Sequence, residues 1–281
     1  MCPACLAAMA PAIAGAASGT GVLALVVKKL RGRRRKGEQA MEQIVSGSLK
    51  VVSRDEWLEA RRALLLREKE LTRAGDELAR QRRELPWVRV EKEYVFDAPG
   101  GKRSLAELFA GKSQLVVYHF MFGPDWPQGC PSCSLLADHF DGMNQHLPHR
   151  DVRLLVVSRA PLPKIESFKR RMGWRFDWVS SFDCDFNQDL GVAFSQEEVA
   201  TGEIRYNYGT ASAFGSEDQP GLSVFRRDAA GDVFHTYSAY ARGLDHLLGV
   251  YGILDLTPRG RDEDALRWPM EWVRHHDRYD G

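Results

Sequence analysis

Three spacings of apolar residues run along this chain. Trp57, Leu64, Leu71, Leu78 and Leu85 recur every seven residues. That spacing predicts a helix, opened at Ser53 and Glu56 by a capping-box pair and stopped before Pro86. The companion seam positions hold Arg61, Glu68, Gly75 and Arg82, so the apolar stripe is one residue wide and a coiled coil is disfavoured. The helix is expected to bend near Gly75 and to pack on its own domain, with packing in a homodimer as the alternative. Continuous apolar runs at Leu115–Phe122 and Val152–Ser158 predict buried strands, with shorter strands at 93–97 and 176–180. Helical spacing returns at Leu136, Phe140, Met143 and Leu147, again over 162–172, and last at Leu244, Leu247, Leu248 and Tyr251.

Strands therefore alternate with helices, the pattern of an α/β sheet with helices against it. Residues 222–227 and 233–238 flank a turn at Asp228 to Gly231 and predict a hairpin. Residues 182–219 carry no sustained period and are read as irregular. From Thr257 a charged tail with Trp268, Trp272, His275 and His276 is expected to wrap the surface.

The amino-terminal part differs. Pro3 to Val27 contains no charged side chain, and Lys28 to Lys36 then carries seven positive charges. An uncharged run of this length followed by a basic flank predicts a transmembrane anchor with the rest of the chain on the cytoplasmic side. The alternative is a peripheral tail on a cytoplasmic protein, its basic run meeting anionic lipid. The expected organisation is an anchor with its flank over 1–36, a linker over 37–52 and a folded domain over 53–281. Within that domain, 53–86 is a helical extension and 257–281 a tail.

The net charge of +1 hides this basic run, without which the chain sums to −6. The folded part thus lacks the basic stripe of a nucleic-acid binder. Five cysteines in 281 residues are too few for the disulfide framework of a small secreted domain. They read as chemistry. Cys2 and Cys5 form one CxxC beside the initiating Met, where no strand precedes them; Cys184 stands apart.

The second CxxC is Cys130-Pro131-Ser132-Cys133, which follows a strand and a Gly, Pro and Asp break at 123–129 and opens a helix. First-turn amides lacking intrahelical partners favour a thiolate at Cys130. Pro131 suits the first helical position. Cys133 lies one turn on, within reach to close or resolve a disulfide. This placement points to thiol-disulfide exchange, with a protein or small-molecule disulfide as substrate and a thiol reductant as electron donor. No cofactor is required. Two other readings stay open: a zinc module in which Cys184 and His139 or His119 join the pair, and an interaction module whose core thiols are inert.

The order strand, CxxC helix, strand, helix, proline, hairpin and last helix resembles the thioredoxin-like fold, a central mixed sheet flanked by helices. The stretches FMFGPDWPQGCPSCS, VVSRAPLPKIESFKRRMGW, PGLSVFRRD, HTYSAYARGLDHLLG and LDLTPRGRDE resemble more closely the thioredoxin-like bacterial family catalogued as domain of unknown function 899. The resemblance implies a redox pair at Cys130 and Cys133 and makes Pro220 the match of a proline that is usually cis and faces the sulfurs. Trp126 and Asp125 fall on the loop before the pair, Asp125 as a candidate to shuttle the proton of Cys133. The pattern departs from thioredoxins proper, which carry Trp-Cys-Gly-Pro-Cys. It departs from peroxiredoxins in having Pro127 where a Thr or Ser stands three residues before the reactive cysteine, which favours dithiol exchange over direct peroxide reduction.

Overall fold

The computed structural model describes residues 50–280 apart from 213–214. The anchor and basic flank over 1–36, most of the linker, and Cys2 and Cys5 lie outside the described residues. Among the described residues no helix is long and apolar enough to cross a membrane. The chain divides into two compact units at Glu84 and Leu85. The helical extension assigned to the folded domain thus falls in a unit apart from the rest.

The first unit is one helix, α1 (Arg54–Arg83), continuous across Gly75. Ser53 and Glu56 form the expected capping box, each side chain bonded to the other's backbone amide. None of its residues is buried, and its surface carries ion pairs one turn apart such as Arg67–Glu70 and Arg80–Glu77.

The second unit is an eight-stranded sheet: β1 (Val88–Arg89), β2 (Val95–Ala98), β3 (Gly101–Ser104), β4 (Gln114–His119), β5 (Val152–Ser158), β6 (Trp178–Ser180), β9 (Gly221–Arg227) and β10 (Val233–Tyr240). Its order is β1-β10-β9-β4-β5-β6-β2-β3. β4, β5 and β6 run parallel, joined by α2 (Pro131–Ala137) with α3 (Phe140–Met143), and by α4 (Leu162–Arg171). β9 and β10 form the expected antiparallel hairpin, with β9 antiparallel to β4.

Alternation along the central strands separates two cores. Tyr118, Leu154 and Val156 point to the face that carries α2 and α4, where Phe120, Phe140, Phe168, Trp174 and Trp178 pack ring against ring. Leu115, Val117, Leu155 and Val157 point to the other face, against Phe96, Phe109 and Phe186. Adjacent residues thus serve opposite cores, which is why these central strands read as continuous apolar runs.

Three expectations are corrected. The single helix expected from Cys130 to Leu147 is broken into α2, α3 and a 3-10 turn at Leu147–Arg150. The stretch 182–219, read as irregular, holds α5 (Phe186–Asp189), α6 (Gln196–Ala200) and a second hairpin of β7 (Glu203–Tyr206) and β8 (Gly209–Ser212). Its turn places Asn207 and Tyr208 both at positive φ, the geometry of a type I′ turn, on a pair that lacks the usual Asn-Gly signature. Tyr206 then donates to the Pro220 carbonyl at 2.5 Å and accepts from the Ala241 amide at 2.9 Å, tying this hairpin to both ends of the β9–β10 hairpin. A 3-10 turn at Ala241–Leu247 and α7 (Gly249–Leu254) close the sheet where one helix was expected.

Candidate active site

Strand β4 stops at His119, and residues 120–129 cross to the start of α2 without regular structure. The Cys130 amide bonds back to the Met121 carbonyl at 3.1 Å. Cys130 is the N-cap of α2, with extended backbone, and Pro131 takes the first helical position as its fixed φ favours. The Cys130 carbonyl accepts from the Ser134 amide and hydroxyl, both at 2.9 Å. Cys133 lies on the same first turn, in side-chain hydrogen-bond contact with Cys130 and Tyr118. Both cysteines are free thiols and both are buried. Burial, followed by the hydrogen bond and charge of Cys130, pushes the Cys133 thiol well up.

A cavity of about 230 Å³ opens on the Cys133 side, and Pro220 lines it too. Pro220, far from Cys133 in the chain, thus lines one cavity with it. Its peptide bond differs from the expectation: none among the described residues is cis, so Gln219–Pro220 is trans. Here the segment is held by bonds on either side of the proline, from the Gln219 amide to the Val192 carbonyl at 2.9 Å and from Tyr206 to the Pro220 carbonyl.

Of the two loop residues, Trp126 is half-buried against the core beneath the pair, whereas Asp125 is exposed. The buried carboxylate coupled electrically to Cys130 is Asp218, whose affinity for a proton is raised first by burial, with smaller upward contributions from the charges of Glu217 and Cys130. Its Oδ1 accepts from Arg159 Nε at 2.7 Å, and Arg159 also reaches Glu217 at 3.1 Å. Asp218 Oδ2 has no hydrogen-bond partner, nor do either of the amide atoms of the buried Gln219. Gly123 makes room for this approach: a Cβ there would sit 3.0 Å from both Asp218 Oδ2 and the Trp126 ring. Sequence reasoning missed Asp218 and Arg159. Their one signal was a charged residue directly after the β5 run, facing another just before Pro220.

The carboxyl-terminal tail supplies the other surroundings. His275 is buried; its Nε2–H donates to the Gly129 carbonyl at 2.8 Å and its Nδ1 accepts from Arg171 at 2.7 Å, which fixes the neutral tautomer. Burial lowers its affinity for a proton, consistent with that form.

The zinc arrangement does not form. Cys184 packs against the opposite core, beyond the sheet from the pair. His119 bonds Ser223 at 2.9 Å and Asn187 at 3.3 Å, and burial depresses its pKa to about 4. His139 donates through Nδ1 to the Leu135 carbonyl at 2.9 Å. Among the described residues no three His, Cys, Asp or Glu side chains come together as a metal site would need.

A strand order of β10-β9-β4-β5, with β4 parallel to β5, the hairpin antiparallel, a CxxC at the end of β4 and a proline before β9, defines a thioredoxin-like protein. The chain belongs to the family described as "Bacterial protein of unknown function (DUF899)", whose model matches residues 46–279. A search of curated proteins found no match. Among solved structures, the chain is similar to peroxidoxin BcpB from Mycobacterium tuberculosis, with 14% identity over 59% of this chain and 94% of that one and a TM-score of 0.40. It is also similar to a putative thiol:disulfide interchange protein DsbE from Chlorobium tepidum, with 10% identity over 59% and 97% of the two chains and a TM-score of 0.36. Superpositions this loose carry no argument about chemistry.

Proposed function

We propose that this protein is a thiol-disulfide oxidoreductase working through Cys130 and Cys133. The observation that carries the reading is the contact of two free thiols on one helical turn, beside a cavity shared with Pro220. Because burial and the charge of Cys130 keep Cys133 protonated, the pair takes its first negative charge on Cys130. The Cys130 thiolate attacks one sulfur of a disulfide, forming a mixed disulfide and releasing one thiolate. That thiolate takes the proton of Cys133, which then displaces the second thiolate and closes the Cys130–Cys133 disulfide. Two electrons pass to the substrate, and an external thiol reductant restores the pair. Of the two buried sulfurs, Cys133 borders the cavity and Cys130 lies in hydrogen-bond contact with it.

The test is disulfide reduction driven by dithiothreitol. Cys130→Ser should lose the activity, and Cys133→Ser should accumulate a mixed disulfide on Cys130, seen by mass spectrometry. Equal activity in wild type and Cys130→Ser would refute the reading.

We further infer attachment to a membrane with the catalytic unit on the cytoplasmic side, supported by the uncharged run Pro3 to Val27 and the basic run Lys28 to Lys36. The full chain should stay in the membrane fraction through alkaline carbonate extraction. Its release by carbonate would indicate peripheral association instead.

A further inference from the structure

The cavity beside Cys133 is walled on one side by the sheet and α2 and on the other by the chain after β10. Leu136, Leu244, Leu248 and Met270 give it an apolar lining. Met270 belongs to the tail, and one carboxylate oxygen in the tail gathers this part of it. Glu263 Oε1 accepts from the Tyr251 hydroxyl at 2.8 Å, the Met270 amide at 2.9 Å and the Trp272 indole at 2.7 Å. Met270 and Arg261 line this space together with Cys133 and Pro220.

Size and charge define what fits. An apolar cavity of about 150 Å³ accepts benzene, so about 230 Å³ accepts one ring bearing a substituent. The two arginines at its border are already paired within the protein, and the exposed carboxylate of Asp264 stands at its rim. Arg242 bonds Asp245 at 3.1 Å, and Arg261 bonds Asp255 at 2.8 Å and Asp245 at 3.3 Å while lying 3.8 Å over the Tyr251 ring. Glu263 Oε1 is occupied by its three donors. A charged ligand directed at Arg242 or Arg261 would have to break these pairs, whereas a neutral one would not.

We infer that this cavity is the binding site for a small, neutral, apolar disulfide, one half of which, an aryl or branched alkyl group, fills the space between Leu244 and Met270 and sets its sulfur against the dithiol. The inference rests on the exchange reading above. In the step it names, the Cys130 thiolate bonds to the cavity-side sulfur, the other half leaves as a thiolate that takes the proton of Cys133, and Cys133 then displaces the cavity-bound half as a thiolate when the intramolecular disulfide forms.

The test combines binding with turnover on the full chain. Methyl phenyl sulfide, a neutral one-ring thioether that cannot exchange, is titrated by ligand-observed NMR. Reduction of dithiodipyridine, neutral with one ring on each sulfur, is compared with reduction of oxidised glutathione, which is charged. Leu244→Trp and Met270→Trp fill the cavity, and should Leu244→Trp fail to fold, Met270→Trp on the half-buried tail carries the test. Wild type should bind the thioether saturably and the variants should not. kcat/KM for dithiodipyridine should fall roughly tenfold or more in the variants, a loss of the size that filling a hydrophobic pocket gives, with a smaller change for oxidised glutathione. Cys130-dependent turnover without thioether binding, or binding unchanged in Met270→Trp, overturns the cavity assignment and leaves the exchange reading intact. Binding that the variants abolish, without any Cys130-dependent turnover, removes the exchange reading and the substrate role with it.

Discussion

At Gly129, just before the Cys130–Cys133 pair, nothing larger fits. A Cβ there would lie 2.6 Å from the Phe120 ring and 2.9 Å from Phe168, both packed in the core. Gly129→Ala should therefore cost about 1–3 kcal/mol, as overpacking does, read as a lower urea midpoint. Asp218 acts on Cys130 by charge. Replacing it with Asn removes a nearby negative charge, so alkylation of Cys130 should extend to lower pH, as pH-dependent iodoacetamide rates would show; an unchanged profile would separate Asp218 from the thiol. His119 sets part of the acid stability. Its folded pKa of about 4 is below the 6.5 of an exposed imidazole, so between those values the unfolded chain binds the extra proton. Stability should be complete above pH 6.5 and be lost as pH falls toward 4, by about 3 kcal/mol if this group acts alone. Burial lowers His235 and His275 in the same direction. Denaturant titrations at several pH values should show a flatter slope for His119→Gln. Cys130 and Cys133 were legible because their geometry is local, three positions on one turn. Asp218 was not, since its partner Arg159 stands on another loop and only the fold joins them.

Elements were legible in proportion to their period. Strand β5 and helix α4 follow their hydrophobic pattern almost residue for residue, and the Ser53–Glu56 box marks the start of α1. The β7–β8 hairpin escaped because its turn uses Asn207 and Tyr208 at positive φ, a conformation that composition does not announce. The helix after Cys133 was overextended because Phe140, Met143 and Leu147 keep an apolar period through two breaks. At this scale the Arg159–Asp218 pair matters most, joining the end of β5 to the segment before β9, with side-chain exposures of 14% and 3%. Such a pair is costly to break and cheap to replace whole. Arg159→Met alone should cost about 3 kcal/mol, whereas Arg159→Met with Asp218→Asn should recover much of it. Additive losses in urea denaturation would show that the two groups do not depend on each other.

For the molecule as a whole, the sheet order sets everything near the sulfurs. It brings β4, β9 and the ends of both hairpins to one edge of the CxxC helix, so that residues separated by more than a hundred positions meet at Cys133. The tail, expected only to wrap the surface, buries His275 over Gly129 and walls the cavity through Met270. That role was invisible in a stretch without period, because it depends on three donors converging on Glu263. The most direct test of the whole account is the redox equilibrium of the full chain in glutathione buffers, followed by peptide mapping of every cysteine. The account predicts that Cys130 and Cys133 leave the reduced state together, as one intramolecular disulfide with a single midpoint, while Cys184 stays a thiol. Separate modification of the two, or a pair that stays reduced while Cys184 oxidises, would contradict it.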